Sequence, residues 1–262
     1  MSPFTPDRTV LAMVQPMPLP GSYRHRGQSM SEITAAAMAE IQAVSEAGFD
    51  GIILQNMNDM PVKQIAPPEA VACMARLATD IRRDLPNLLM GILMNWDGVA
   101  GLAVAEAAEA AFVRVEHLYT GVEVTSAGLL EAQCVEVCTL RKALGSSIPV
   151  YADVYEVHGV PLGAKPIADA AWESVHEAFA DGLFLAGTSI EDSIQMVQQV
   201  RTRVPDVPIM LGGGATAHNI ALGMQHFDGV SVATWVKDGD MKNPVNPERA
   251  RRFVAEAKRT AV

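Results

Sequence analysis

The residues best suited to acid–base chemistry lie at or just past the ends of apolar runs. Asp153 closes the run Tyr151-Ala-Asp-Val154, Glu116 and His117 follow Phe112-Val-Arg-Val115, and His158 and Lys165 fall in the segment after Val154. A carboxylate inside an apolar run needs a cation, a metal or a substrate hydroxyl, because an isolated buried charge is costly. Asp153 is therefore the first candidate for a general acid/base or a metal ligand. Its compensating partner is expected to be a substrate hydroxyl, a metal or Lys165. Glu116, His117, His158 and Lys165 complete the catalytic candidates; the competing reading of Asp153 is a structural carboxylate bonded to loop amides. Asp153, Glu116 and His158 would give a mixed oxygen and nitrogen donor set for a divalent ion. No His-x-His or His-Glu-x-x-His spacing supports such a site, so a metal on Glu116 and Asp153 stays open and no cofactor is required. No lysine lies inside an apolar run, which argues against a strand-borne Schiff base. Lys165 and Lys237 fall in loops, where they would serve only as electrophilic helpers.

A second set of polar residues suits substrate binding. Gln15, Gln55, Asn56, Asn95, Thr188 and Thr234 stand at the ends of other apolar runs. Side-chain amides concentrated in this way suit sugar hydroxyls or carbonyls; the alternative is a set of Asx turns. Arg114 shares a strand face with Glu116 by two-residue alternation; an inward Arg–Glu pair would be a structural alternative to a substrate- or metal-binding role for Glu116. Gly212, Gly213 and Gly214, in Leu211-Gly-Gly-Gly-Ala-Thr216, let the backbone approach a ligand closely. A helix starting at Thr216 would offer free N–H groups to a phosphate or other anion. A tight turn without a ligand is the plain alternative. Ala233 and the bulky Trp235 would crowd that side.

Eight apolar runs position these residues: Val10–Gln15, Gly51–Asn56, Leu88–Asn95, Phe112–Glu116, Pro149–Val154, Gly182–Gly187, Val207–Gly212 and Gly229–Thr234. Helix-period segments separate them. Continuous apolar strands are buried on both faces, which implies a parallel sheet under helices. Eight such strands in a chain of 262 residues predict an α/β fold, a single (β/α)8 barrel over residues 1–262. The site of such a barrel lies at the C-terminal strand ends. Long connections there agree: Pro16–Ser31, Met57–Pro68, His117–Gly128 and Tyr155–Pro166. The opposite rim has short turns, Glu46–Asp50, Ala180–Gly182 and Phe227–Gly229, whose Asp and Gly residues read as structural. Helix starts are expected near Ser31, after Asp97 as N-cap, and at Pro247 after Asn246.

The net charge is −10, which disfavours nucleic acid and anionic membranes as partners. The start MSPFTPDRTV has no apolar signal core, and Gly98–Val113 is too short and too charged to span a bilayer. Cys73, Cys134 and Cys138 read as free thiols in a reducing cytosol, so the expected location is cytoplasmic.

Taken in order, several short motifs resemble the BtpA/SgcQ family of barrel proteins. They are Pro18-Leu-Pro-Gly-Ser22, Asp50-Gly-Ile-Ile53 through Asn58-Asp-Met-Pro61, Phe112-Val-Arg-Val115, and Gly128 through Leu144-Gly145. They continue with Ala152-Asp-Val154, His158, Pro161-Leu162, Gly187-Thr188, Gly212–Gly214 and Lys237-Asp-Gly239 through Asn243–Pro247. The resemblance is collinear along the chain. It implies a barrel of the phosphate-binding type, with one cyanobacterial branch linked to photosystem I biogenesis and others found among sugar-metabolism genes. This chain departs from that pattern at Gln55 and Glu116, where the family tends to carry Glu and Asn. It departs again at Gln15-Pro16, where a His-containing segment is usual, and at Ala233-Thr234, where Gly-Thr is usual.

The expected function is an isomerase, lyase or hydrolase acting on a small polyol, sugar or sugar-phosphate substrate. The alternative is a non-catalytic assembly or regulatory factor, which would present a docking patch in place of a convergent pocket. A homo-oligomer remains open.

Overall fold

A computed structural model describes residues 3–4, 8–116, 119–155 and 158–259. The barrel strands are β1 (Thr9–Val14), β2 (Gly51–Gln55), β3 (Leu89–Leu93), β4 (Phe112–Val115), β7 (Val150–Asp153), β9 (Gly182–Leu185), β10 (Ile209–Leu211) and β11 (Gly229–Val232). They close in the order β1-β11-β10-β9-β7-β4-β3-β2, with every pairing parallel. This is the (β/α)8 barrel expected from the eight apolar runs. The flanking helices are α1 (Met30–Glu46), α2 (Pro68–Asp84), α3 (Gly98–Ala107), α4 (Cys134–Leu144), α5 (Ile167–His176), α6 (Ile190–Arg201), α7 (Ile220–Gly223) and α8 (Pro247–Ala257).

Local sequence explains most helix starts. Ser29 caps α1 in a reciprocal capping box with Glu32, so the helix starts at Met30, one residue before Ser31. Asp97 accepts from the Ala100 N–H at the head of α3, and Asn246 accepts from the Glu248 and Arg249 N–H groups at the head of α8. The expected helix start at Thr216 is corrected. The Asn219 side chain folds back, accepting from the Thr216 N–H and donating to the Gly214 carbonyl. This holds residues 214–219 as a turn, and α7 is only a single turn beyond it.

The aspartates of the short rim are structural, as expected. Asp50, Asp181 and Asp228 each accept from an N–H in the first two residues of a neighbouring strand, at Val10, Val150 and Ile209. Each thereby satisfies a strand-end donor that has no ladder partner.

Inside the barrel, alternation sends every second residue inward. The lower layers hold Leu11, Met13, Ile53, Leu93, Phe112, Tyr151, Phe184 and Met210, with Phe4 against the rings of Phe112 and Tyr151. Gly91 and Gly182 are required by this packing. A Cβ on Gly91 would lie 2.2 Å from the Phe112 ring, and one on Gly182 would lie 2.1 Å from the Tyr151 ring. The same inward rows continue upward into Gln15, Gln55, Asn95, Arg114, Asp153 and Ser231, all buried. The inner face thus changes from apolar to polar at one level.

A small antiparallel sheet, β6-β5-β8, stands beside the mouth; its strands are β5 (Val122–Thr125), β6 (Gly128–Glu131) and β8 (Val160–Pro161). It is built from the two long connections after β4 and β7, which the sequence reads as loops.

Candidate functional site

The polar level sits at the C-terminal strand ends, beneath a cavity of about 470 Å³. On one side runs a row of amides from three adjacent strands. Gln15 Nε2 donates to Gln55 Oε1 at 3.2 Å, and Gln55 Nε2 donates to Asn95 Oδ1 at 2.9 Å. The row forms because Gln55 at the end of β2, and Gln15 and Asn95 just beyond β1 and β3, continue the inward rows one level above Met13, Ile53 and Leu93. Asn58 holds the chain after β1, donating to the Gln15 and Pro16 carbonyls.

Across the mouth, Arg114 and Asp153 form a bidentate pair. Nε lies 2.8 Å from Oδ2 and Nη2 lies 2.7 Å from Oδ1, with side chains 4% and 2% exposed. The guanidinium also lies 4.2 Å over the Phe184 ring and 3.4 Å from Ser231 Oγ. Such forked geometry is the strong form of a carboxylate contact. One expectation is corrected here. Arg114 is the partner that allows Asp153 to be buried, in place of a metal, a substrate hydroxyl or Lys165. The partner is on the next strand because the register of β4 with β7 sets Arg114 opposite Tyr151, and so diagonal to Asp153.

The remaining candidates divide cleanly. Glu116, His158, Gln15, Gln55, Arg114, Gly212, Gly213, Gly214 and Thr234 line the central cavity. Asp153 lies below it, behind Arg114. Asn95 closes the amide row and, with Asn56, lines a separate crevice of about 230 Å³. Asn56 bonds the Asn95 N–H and Asp59, so it acts as a turn residue. Thr188 is exposed, with its N–H and hydroxyl both donating to Asp192 of α6. Lys165 is exposed and paired with Glu173 of α5, which rules it out as the partner of Asp153. His117 lies outside the described residues.

At the glycine loop, the Gly212 N–H is spent on the Leu185 carbonyl and the Thr216 N–H on Asn219. Gly214 has φ +71° and faces open space, since a Cβ there would meet nothing within 4 Å. Trp235 and Ala233 do line this side, with the Arg249 guanidinium 5.1 Å from the Trp235 ring. A divalent metal does not fit the described residues. No three His, Cys, Asp or Glu side chains among them converge on a metal position, and both Asp153 oxygens face Arg114.

Lys237 is the residue the sequence places wrongly. It is 1% exposed, pairs with Glu40 of α1 at 2.5 Å, and donates to Gln15 Oε1 at 2.9 Å. A readable signal existed in α1, where Glu40 is a lone charge among Ala36, Ala37, Ala39 and Ala43. Burial pushes the Glu40 carboxyl up, and Lys237 opposes that shift.

A model of the BtpA family matches residues 6–259. The chain belongs to the BtpA family. An uncharacterized protein of Thermococcus kodakarensis is 34% identical over 254 residues, covering 96% of this chain and 95% of the relative. The photosystem I biogenesis protein BtpA of Synechocystis is 31% identical over 256 residues, covering 96% of this chain and 88% of that protein. Among solved structures, N-(5'-phosphoribosyl)anthranilate isomerase of Pyrococcus furiosus superposes with a TM-score of 0.56 at 16% identity, covering 96% of this chain and 98% of the other. At that identity the likeness shows the barrel fold and nothing finer. Among the described residues no helix is long and apolar enough to cross a membrane.

Proposed function

We propose that this BtpA-family barrel is an enzyme that binds a small, oxygen-rich, sugar-like substrate in the central cavity, phosphorylated or not. The observation that carries this reading is convergence. Amides, a guanidinium, a carboxylate, an imidazole and a glycine loop from separate strands and loops line one space of about 470 Å³. Binding pockets for small polar molecules are built in this way, from a few fixed polar groups on a rigid frame.

Within it, Glu116 and His158 take the acid–base role, because both reach the cavity. Asp153 holds Arg114 in place, and Arg114 supplies positive charge to a substrate carbonyl or carboxylate. Gln15 and Gln55 bind hydroxyl or carbonyl oxygens. An anionic group of the substrate is assigned to the Gly213–Gly214 and Thr234–Trp235 side. The reaction class that suits a carboxylate and an imidazole beside such a substrate is proton transfer, as in isomerisation or lyase chemistry, or hydrolysis.

The test is a screen of aldoses, ketoses, polyols and their phosphates for turnover, followed by Glu116→Gln. The variant should fold normally and lose roughly 10²–10⁴-fold in kcat, the usual range for one acid–base group. Full activity in a folded variant would remove Glu116 from the chemistry.

A non-catalytic assembly role is the second reading. It is favoured by the name of the Synechocystis relative and by one surface. Val124 pairs with Leu129 on one side and Val160 on the other, and the three are 41%, 62% and 66% exposed on one face of the small sheet. Leu129→Lys would abolish a docking function and leave turnover intact.

A further inference from the structure

An amide can be turned over without changing its shape, so a row of amides has two possible polarities. Lys237 removes that ambiguity here. An ammonium group donates and does not accept, so the Gln15 atom at 2.9 Å from Nζ must be the oxygen. Gln15 Nε2 then has to donate to Gln55 Oε1, and Gln55 Nε2 has to donate to Asn95 Oδ1. Reversal of any one member would set nitrogen against nitrogen or oxygen against oxygen. The ammonium also forms an ion pair with Glu40 Oε1 at 2.5 Å, and the Met241 carbonyl lies 3.5 Å away. Lys237 does not line the central cavity; it stands behind Gln15, on a neighbouring crevice that it shares with Glu40.

We propose that Lys237, anchored by Glu40, sets the amide direction of Gln15, Gln55 and Asn95 and is a positioning residue of the barrel mouth. A buried ion pair is a weak source of stability, since desolvation offsets most of its attraction. Its effect in this position is to specify one arrangement of neutral groups.

The side-chain amides report the relay directly. Protein labelled with ¹⁵N at Gln and Asn gives one pair of NH2 signals per side chain, and the three pairs are assigned from Gln15→Leu, Gln55→Leu and Asn95→Leu. Lys237→Met keeps the length of the side chain and removes the donor. The expected result is that the Gln15, Gln55 and Asn95 pairs all move or broaden well beyond their linewidths, while the backbone spectrum away from the mouth is kept. Glu40→Gln should move the same three pairs, by less. If Lys237→Met fails to fold, Gln15→Leu cuts the relay one step later and should displace the Gln55 and Asn95 pairs together. A change confined to Gln15 in Lys237→Met, or unmoved Gln55 and Asn95 pairs in Gln15→Leu, would overturn the proposal.

Discussion

The floor and the mouth of this barrel are built from the same strands by opposite means. Below, Leu11, Ile53, Leu93, Phe112, Tyr151, Phe184 and Met210 fill the space with hydrocarbon and aromatic side chains. One level up, the same inward positions carry Gln15, Gln55, Asn95, Arg114, Asp153 and Ser231, which are also buried. An apolar layer is stabilised in proportion to the area it removes from water and tolerates exchange of one hydrocarbon for another. A polar layer gains little net stability, and each member must find its partner, because a buried group left unpaired is costly. The lower layers therefore stabilise the fold, together with the larger apolar core between strands and helices. The upper one adds little to it and is explained by what it presents to the cavity.

Variants can sharpen that contrast. The largest effect is expected from Asp153→Ala, which leaves the Arg114 guanidinium buried and unpaired; denaturant unfolding should show a loss of about 3–5 kcal/mol. Replacing both, as Arg114→Met with Asp153→Leu, should recover most of that loss while abolishing ligand binding. If the double variant stays as unstable as the single one, the pair is part of the fold and the contrast fails. Next comes Met210→Ala in the floor, expected to cost about 2–5 kcal/mol through the cavity it leaves, with ligand affinity unchanged once folded.

A smaller effect comes from Asp59, which is buried and accepts from the Leu19 N–H and from Asn56. Burial raises its pKa above the ordinary 3.8, and the hydrogen bonds only partly oppose this. The folded state then holds its proton more tightly than the unfolded chain does. Stability should therefore fall as pH rises from about 3.8 through the raised value. Asp59→Asn should flatten that part of the curve in urea midpoints taken across the range; an unchanged slope would remove Asp59 from it. The smallest effect is expected for Ser231→Ala, which removes only a 3.4 Å contact to Arg114 and should shift stability by about 1 kcal/mol or less.

These layers were not equally legible in the sequence. A strand buried on both faces writes itself as a continuous apolar run, so all eight barrel strands could be read within a residue or two. Their polar ends could be read as well, which is why Gln15, Gln55, Glu116 and the glycine loop stand where expected. Pairings across strands could not. The contact of Arg114 with Asp153 depends on the register of β4 against β7, and no local pattern carries that register. The short sheet was hidden because β5 and β6 are four residues each and expose half of their apolar side chains. Lys237 was hidden for a related reason. It belongs to a turn of 3-10 helix after β11 that buries it against α1, far away in sequence.

The central claim is that the barrel mouth holds the ligand. Crystals soaked in a mixture of pentoses, polyols and their phosphates test it most directly. The account expects one sugar-like molecule in the density, within hydrogen-bonding distance of Gln15 or Gln55 on one side and of Glu116 or the Gly213–Gly214 loop on the other. Density for a sugar at another surface, with the mouth filled only by solvent, would contradict it.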